Sequence, residues 1–411
     1  MTGPPASERL RRLVTERSRA DQTGVTLESV PLAEAAPPGA AEVTGRVEQA
    51  ARHLAERQDV DDRAFRRALD LWLRTTDRAA RRLDDNPDAP LPPDEVYALE
   101  AVVRADGTRP SLLVRNGVVN PVQPLAAGWT GQLTAPGDEL TRAVAAIGRV
   151  EPTHPSGSDF FGTCWVVDHR NGLALTNRHV LDAMVERLPH AVARTTTGFR
   201  VFDGAFVDFA AESGSADVRR YRIVEATPSE VNGTKFARLD AAVLRIEPLP
   251  DGPQDVPDAL TVSADPDGPL GRLASHCIVG YPARPVYEFG TIEGVDWAWV
   301  TRTLFGNVYG VKRLAPGMTH RPLGSLPGDK RRWVFGHDAT TLGGNSGSPA
   351  LAWTDSAFGL HFAGRSIDTN YAHAVSAITT ELRALGVPIG GLGFQDPLRN
   401  ATSKRLINTP D

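Results

Sequence analysis

The chain has 411 residues, 41% of them hydrophobic and 23% charged, a balance that builds packed cores and excludes a disordered tail protein. Its length suits two to three domains at roughly 100–200 residues each. A net charge of −5 offers no bulk attraction to nucleic acid or anionic lipid, and no run reaches the ~18 apolar residues of a membrane span, so neither nucleic acid nor membrane is an expected partner.

In chain order, residues 1–90 read as a mainly helical region. Within it, Phe65, Leu69, Trp72, Leu73 and Leu83 fall near one face at helical spacing, and the Pro/Ala-rich piece from Pro31 to Ala41 separates a short N-terminal arm from the helical block. The arginines of this block alternate with aspartates, which describes a solvated, ion-paired face rather than a phosphate-binding one. The opening MTGPPASERLRRLVTERSRA carries charge but no apolar stretch, so it does not read as a secretory signal. With only two cysteines, Cys164 and Cys277, no disulfide framework can form, and a reducing, cytoplasmic interior is expected.

Residues 91–150 form a hairpin and a short helix leading into the next domain. Strand-like runs meet at DGTRP, a second turn falls at Asn116-Gly117, and DELTRAVAAIGRV is amphipathic. Over 151–395 the texture becomes short apolar runs broken by Gly, Pro and Asp: GTCWVV, LALTNRHV, AAVLRIE, HCIVGYP, SPALAW and FGLHFAG. Strands at this spacing without alternating helices predict an all-β sandwich or barrel. The Pro/Gly/Asp-rich piece at 248–271 reads as a connector between two β-halves. The stretch from Val286 to Arg331 reads as a long loop, or added strands, over a cleft. Residues 396–411 are a C-terminal tail.

Three places carry residues suited to chemistry. In TTLGGNSGSPAL (340–351), Gly343, Gly344 and Gly347 surround Ser346, giving the backbone freedom to present a hydroxyl and to aim N–H groups at a developing oxyanion. The ordinary role of such a segment is a surface turn. No helix pattern follows it, so it is not the elbow of a strand-to-helix hydrolase. LALTNRHVLDAM places His179 just past a short apolar strand, where it can serve as the base that a serine hydroxyl needs; one histidine of ten is more often structural. RLDAAVLRIE places Asp240 before a buried strand, where a carboxylate can orient an imidazole or simply begin the strand.

Taken together, His179, Asp240 and Ser346 occur in the order His, Asp, Ser, and TNRHV and GGNSGSP resemble the motifs of the chymotrypsin-like (trypsin-like) serine peptidases, in particular their bacterial branch. The resemblance spans roughly residues 150–390. It implies a double antiparallel β-barrel of six strands each, with Ser346 as nucleophile, His179 as general base and acid, Asp240 as the orienting carboxylate, and the N–H groups of Gly344 and Ser346 as the oxyanion hole. A peptide or protein substrate is implied, with no cofactor. The N-terminal region is then a candidate for restraining or targeting the peptidase, with a protein partner of its own.

Three departures from the family pattern stand out. Cys164 sits where disulfide-bearing relatives keep a cysteine, but the residue after His179 is Val180, so that bridge cannot form and Cys164 reads as a small buried filler. Asn345 precedes Ser346 where many secreted relatives have aspartate, so activation by pairing with a freed N-terminal amine is not expected. Thr340 is uncharged, which disfavours a pocket for Lys or Arg, while Thr341 and His361 resemble the Thr/His pair of glutamyl endopeptidases and imply an acidic P1 residue. No H-E-x-x-H or zinc-like cysteine pair is present, so no metal is expected. The competing readings are a catalytically silent binding or adaptor protein that kept the fold, and an esterase.

Overall fold

Short strands, several of them buried along all or nearly all of their length, close into two barrels. The computed structural model describes residues 108–390 apart from 124, 156–158, 232–235, 237, 266–268, 285–304, 327 and 366–368. The helical region expected over 1–90, the first strand of the expected hairpin and the 396–411 tail lie outside the described residues.

The described chain begins with β1 (Leu112–Arg115) and β2 (Val118–Val119), joined at Asn116-Gly117. Both turn residues are left-handed, with φ of 52° and 74°, which is what a two-residue hairpin asks of an Asn-Gly pair. A 3₁₀ turn at Ala127–Trp129 leads to α1 (Thr130–Thr134) and α2 (Asp138–Ala145). In α2, Leu140, Ala143 and Val144 face inward, and Asp138 and Glu139 open the helix while Arg142 closes it, the sense favoured by its dipole.

The first barrel takes β3 (Ile147–Pro152), β4 (Gly162–Asp168), β5 (Leu173–Thr176), β8 (Ala205–Asp208), β9 (Arg220–Pro228) and β10 (Ala242–Pro248). Between them lie α3 (Arg178–Arg187) and the hairpin of β6 (Val192–Arg194) and β7 (Phe199–Val201), which adds to β9. The antiparallel order β10-β5-β4-β3-β8-β9 closes through β9–β10. The second barrel takes β12 (Ser275–Gly280), β13 (Arg313–Arg321), β14 (Val334–His337), β15 (Pro349–Leu351), β16 (Ser356–Arg365) and β17 (Thr369–Ala374), after β11 (Thr261–Val262) and before α4 (Thr379–Ala384). Its order β12-β15-β16-β17-β14-β13 closes through β12–β13. Closure removes sheet edges and leaves each interior filled by side chains. No helix among the described residues is long and apolar enough to cross a membrane.

Three elements differ from the sequence expectation. LALTNRHV is a strand only to Thr176, and the chain turns into α3 at Arg178. Part of the stretch expected to lie over the cleft is β13, a barrel strand pairing with both β12 and β14; residues 285–304 lie outside the description. Finally, β3 starts at Ile147, ahead of the domain start expected at 151, and the 108–146 segment is stitched onto both barrels. β1 pairs with β13, and Lys312 Nζ, fully buried, donates to the carbonyls of Val144 (2.9 Å) and Phe209 (2.8 Å). The 248–271 connector also touches both halves: the Leu260 N–H donates to Val166 of β4, while β11 pairs with β16.

Candidate active site

His179 owes its place to the end of β5. The strand stops at Thr176, Asn177 takes an extended conformation, and α3 starts at Arg178. Asn177 Nδ2 donates to the Asp240 carbonyl at 2.8 Å, so the segment entering β10 is tied to the segment leaving β5. The Asp240 carboxylate then grips His179 at two points: Oδ1 accepts its backbone N–H at 3.0 Å, and Oδ2 lies 2.6 Å from Nδ1. Burial alone would raise the Asp240 pKa. The attraction of His179, its two hydrogen bonds and the attraction of His373 outweigh burial and hold the carboxyl well below the usual range. A buried carboxylate ionised in this way fixes the imidazole with its proton on Nδ1 and leaves Nε2 as the acceptor. From β17, His373 Nε2 accepts the backbone N–H of Asp240 at 3.2 Å, and the His373 ring stacks on Phe362 at 4.3 Å.

The Ser346 turn is held by an ordered set of main-chain bonds. The Gly343 carbonyl accepts from Ala283 N–H (2.6 Å) and the Asn345 carbonyl from Ser348 N–H (2.9 Å). The Gly344 carbonyl accepts from the Thr163 hydroxyl (2.8 Å) and the Ser346 carbonyl from Thr163 N–H (2.9 Å). The N–H groups of Asn345 and Gly347 donate to Leu342 and His361 (3.1 and 3.0 Å). Among the described residues, the N–H groups of Gly344 and Ser346 donate to nothing. Because N–H and C=O oppose each other across a trans peptide, anchoring the Gly343 and Asn345 carbonyls turns these two N–H groups the opposite way. Gly344 and Gly347 have φ of 88° and 91°, which side-chain-bearing residues seldom adopt. Ser346 itself is half-buried. Its carbonyl and the Val180 side chain crowd the same face of Gly162, where an added Cβ would lie 3.0 and 2.6 Å from them. The turn thus abuts the residue that follows His179.

Two closed six-stranded barrels with these residues at their seam invite comparison with known proteins. The model of the trypsin-like peptidase domain family matches residues 162–360. A probable serine protease of Lysobacter enzymogenes is 40% identical over 359 residues, covering 86% of this chain and 91% of the relative. The chain belongs to the trypsin-like serine peptidases. It is accordingly a serine endopeptidase, with peptides or proteins as substrates. Among solved structures, the inactive form of Rv3671c from M. tuberculosis H37Rv, as a serine-to-alanine mutant, is 17% identical, covers 66% of this chain and 98% of its own, and has a TM-score of 0.35. A second structure of the Rv3671c protease in its inactive form is 18% identical, with shares of 59% and 90% and a TM-score of 0.33.

In this trypsin-like peptidase the expected pocket residues are all buried. The Thr340 hydroxyl donates to the Arg109 carbonyl, and the Thr341 hydroxyl donates to Asn370 Oδ1 at 2.9 Å. His361 Nδ1 is 3.2 Å from His337 Nε2, and the His361 ring is also hydrogen-bonded to the Tyr371 backbone. Burial, with repulsion from His179, pushes the His361 pKa down to about 3. A third ring, His276, packs edge-on against His337 at 5.5 Å. Cys164 is fully buried and its thiol pKa is pushed well up by that burial, as suits an inert filler. Asn345 donates through Nδ2 to the Leu342 carbonyl at 3.1 Å, so the turn is braced there without an ion pair.

Sequence reading missed Thr163, His373, His276 and His337. Thr163 lies inside the GTCW segment noted for its cysteine, so a signal was present. For the histidines there was none, because only pairing across strands brings them together.

Proposed function

We propose that the peptidase cuts peptide bonds through Ser346 as nucleophile, His179 as proton carrier, Asp240 as the group that orients His179, and the Gly344 and Ser346 N–H groups as oxyanion donors. The observation that carries this reading is the two-point grip of Asp240 on His179, which leaves Nε2 as the acceptor, in a helix whose next residue, Val180, meets the Ser346 carbonyl at Gly162. Nε2 takes the hydroxyl proton as Oγ attacks the substrate carbonyl carbon. The oxygen that becomes negative is received by the two N–H groups, which no carbonyl among the described residues occupies. Collapse of the tetrahedral adduct expels the amine, protonated by Nε2, and leaves an acyl-enzyme on Ser346. Water, deprotonated by the same nitrogen, then releases the acid. Losing one oxyanion donor in such a site costs roughly 100- to 1,000-fold in rate.

Labelling with a fluorophosphonate probe tests this, comparing wild type with Ser346→Ala and His179→Ala. Labelling and peptide cleavage by wild type alone are expected. A wild-type chain that neither labels nor cleaves would favour the silent binding protein, and cleavage of esters without peptides would favour an esterase.

Two finer parts belong to the same reading. The acidic P1 preference requires a substrate carboxylate to take over hydrogen bonds that Thr341 gives to Asn370 and His361 makes with Tyr371. Equal cleavage of matched peptides with Glu or Gln at P1 would overturn it. A restraining role for the N-terminal region is supported by its point of entry: Arg109 pairs with Asp338 at 2.8 Å, and its carbonyl holds the Thr340 hydroxyl. Arg109→Ala is then expected to raise kcat/KM; an unchanged value would exclude restraint through this contact.

A further inference from the structure

We infer that Thr163 is the positioning residue of the oxyanion hole, a first-barrel side chain that sets the orientation of a second-barrel turn. The inference rests on the triad reading above. Thr163 is fully buried in β4, and each of its hydrogen-bonding groups is committed. Its N–H donates to the Ser346 carbonyl (2.9 Å), and its carbonyl accepts from the Thr176 hydroxyl (2.7 Å). Oγ1 accepts from the Tyr281 backbone N–H (3.2 Å) and donates to the Gly344 carbonyl (2.8 Å).

A hydroxyl has one proton. Since Tyr281 N–H donates to Oγ1, that proton is left for an acceptor, and the Gly344 carbonyl at 2.8 Å takes it. Thr163 therefore holds the carbonyls of the peptides leaving both Gly344 and Ser346. Gly344 is the pivot of the turn. It is a glycine at φ 88°, free of the Cβ that would otherwise restrict rotation, so the orientation of its N–H depends on its neighbours. On one side the Gly343 carbonyl is held by Ala283 N–H; on the other, the Gly344 carbonyl is held by Thr163. The Gly344 N–H shares its peptide with the Gly343 carbonyl, so Ala283 aims it, and Thr163 acts one peptide further on. Release of the Gly344 carbonyl frees the Gly344–Asn345 peptide to turn about the unrestricted glycine. That turn drags the preceding peptide against its Ala283 anchor and carries the Gly344 N–H out of line. The binding of the substrate chain elsewhere in the cleft is untouched, so the loss falls on the transition state.

A packing role and a positioning role predict opposite orders for two variants. Thr163→Val keeps the shape and the methyl group but removes the hydroxyl; Thr163→Ser keeps the hydroxyl and loses the methyl. Positioning predicts a kcat fall of roughly 10- to 100-fold for Thr163→Val with KM within about twofold, and near-wild-type kcat for Thr163→Ser. Affinity for a peptide aldehyde, whose adduct places an oxyanion in the hole, should fall with kcat in Thr163→Val, while affinity for the product acid stays unchanged. Wild-type kcat in Thr163→Val, equal impairment of both variants, or a kcat loss without loss of aldehyde affinity would each overturn the inference. Should Thr163→Val not fold, Thr163→Cys takes its place, its weak S–H donor giving the same pattern in smaller measure. Ser346→Ala, assayed alongside, separates the two levels. If Ser346→Ala still cleaves peptides, the triad reading fails and takes this inference with it; if it is inactive while Thr163→Val is normal, only the role of Thr163 fails.

Discussion

Asp240 has 3% of its surface exposed and spends one oxygen on the His179 backbone and the other on Nδ1. Asp240→Asn keeps the shape, but an amide that accepts the His179 N–H through its oxygen turns its NH₂ toward Nδ1. That stabilises the tautomer with its proton on Nε2, which cannot take the serine proton, and a kcat loss of roughly 10⁴-fold is expected. An unchanged melting temperature beside that loss would locate the effect in chemistry. The buried histidines act on stability instead. Burial pushes the His276 pKa down to about 4 and that of His361 to about 3, and His337 is lowered as well. In the unfolded chain each protonates near ~6.5. Between those values the unfolded chain binds more protons, so the stability is fully present above ~6.5 and is lost as pH falls, by about 1.4 kcal/mol per pH unit per histidine. The melting temperature should therefore fall from pH 7 to pH 5, before Asp240 contributes, since a depressed carboxyl loses its share only below about pH 4. In His276→Phe, where the new ring joins Phe335 and Phe358, the fall should be shallower. Of these residues, Ser346, His179 and Asp240 stand out in the sequence because each sits in a run whose composition suits the role proposed for it. His276, His337 and His373 sit in ordinary strand runs, and pairing in the barrel is what gives them neighbours.

At the scale of elements, strands with plain alternation or continuous apolar runs were legible, and so was the Asn116-Gly117 turn. β13 was not. Its Pro316-Gly317 reads as a turn signal, yet both residues pair with β12, and a Cβ on Gly317 would come within 2.7 Å of Ala339. The glycine allows close approach of the segment that leaves β14, which no local pattern reports. The 108–146 segment was read as a lead-in and works as a clasp. Trp129 stacks on Trp353 at 5.7 Å, donates from Nε1 to the Thr108 carbonyl and lies under the Arg109 guanidinium. Trp129→Ala removes all three contacts and should cost about 3–5 kcal/mol, read as a lowered midpoint in urea with an unchanged slope. A chain starting at Glu151 would lack this clasp and four residues of β3.

Across the whole molecule, the seam between barrels is packed too closely for added atoms. A Cβ at Gly347 would lie 2.0 Å from the Thr163 carbonyl oxygen and 2.6 Å from Thr176 Oγ1, at a φ of 91°. Gly347→Ala should therefore force the barrels apart or twist the turn. Loss of fluorophosphonate labelling with retained secondary structure by circular dichroism is expected, and normal labelling would show that the seam yields. Sequence by itself determined the all-β class, the order His179, Asp240, Ser346 and the glycines around the serine, because strand patterning and turn chemistry are local properties of the chain. Only the tertiary structure decided that Thr163 holds Gly344 across 181 residues and that His373 meets Asp240 across 133. Those contacts are single hydrogen bonds between two closed barrels, and their partners are chosen by how the barrels dock rather than by anything written beside either residue.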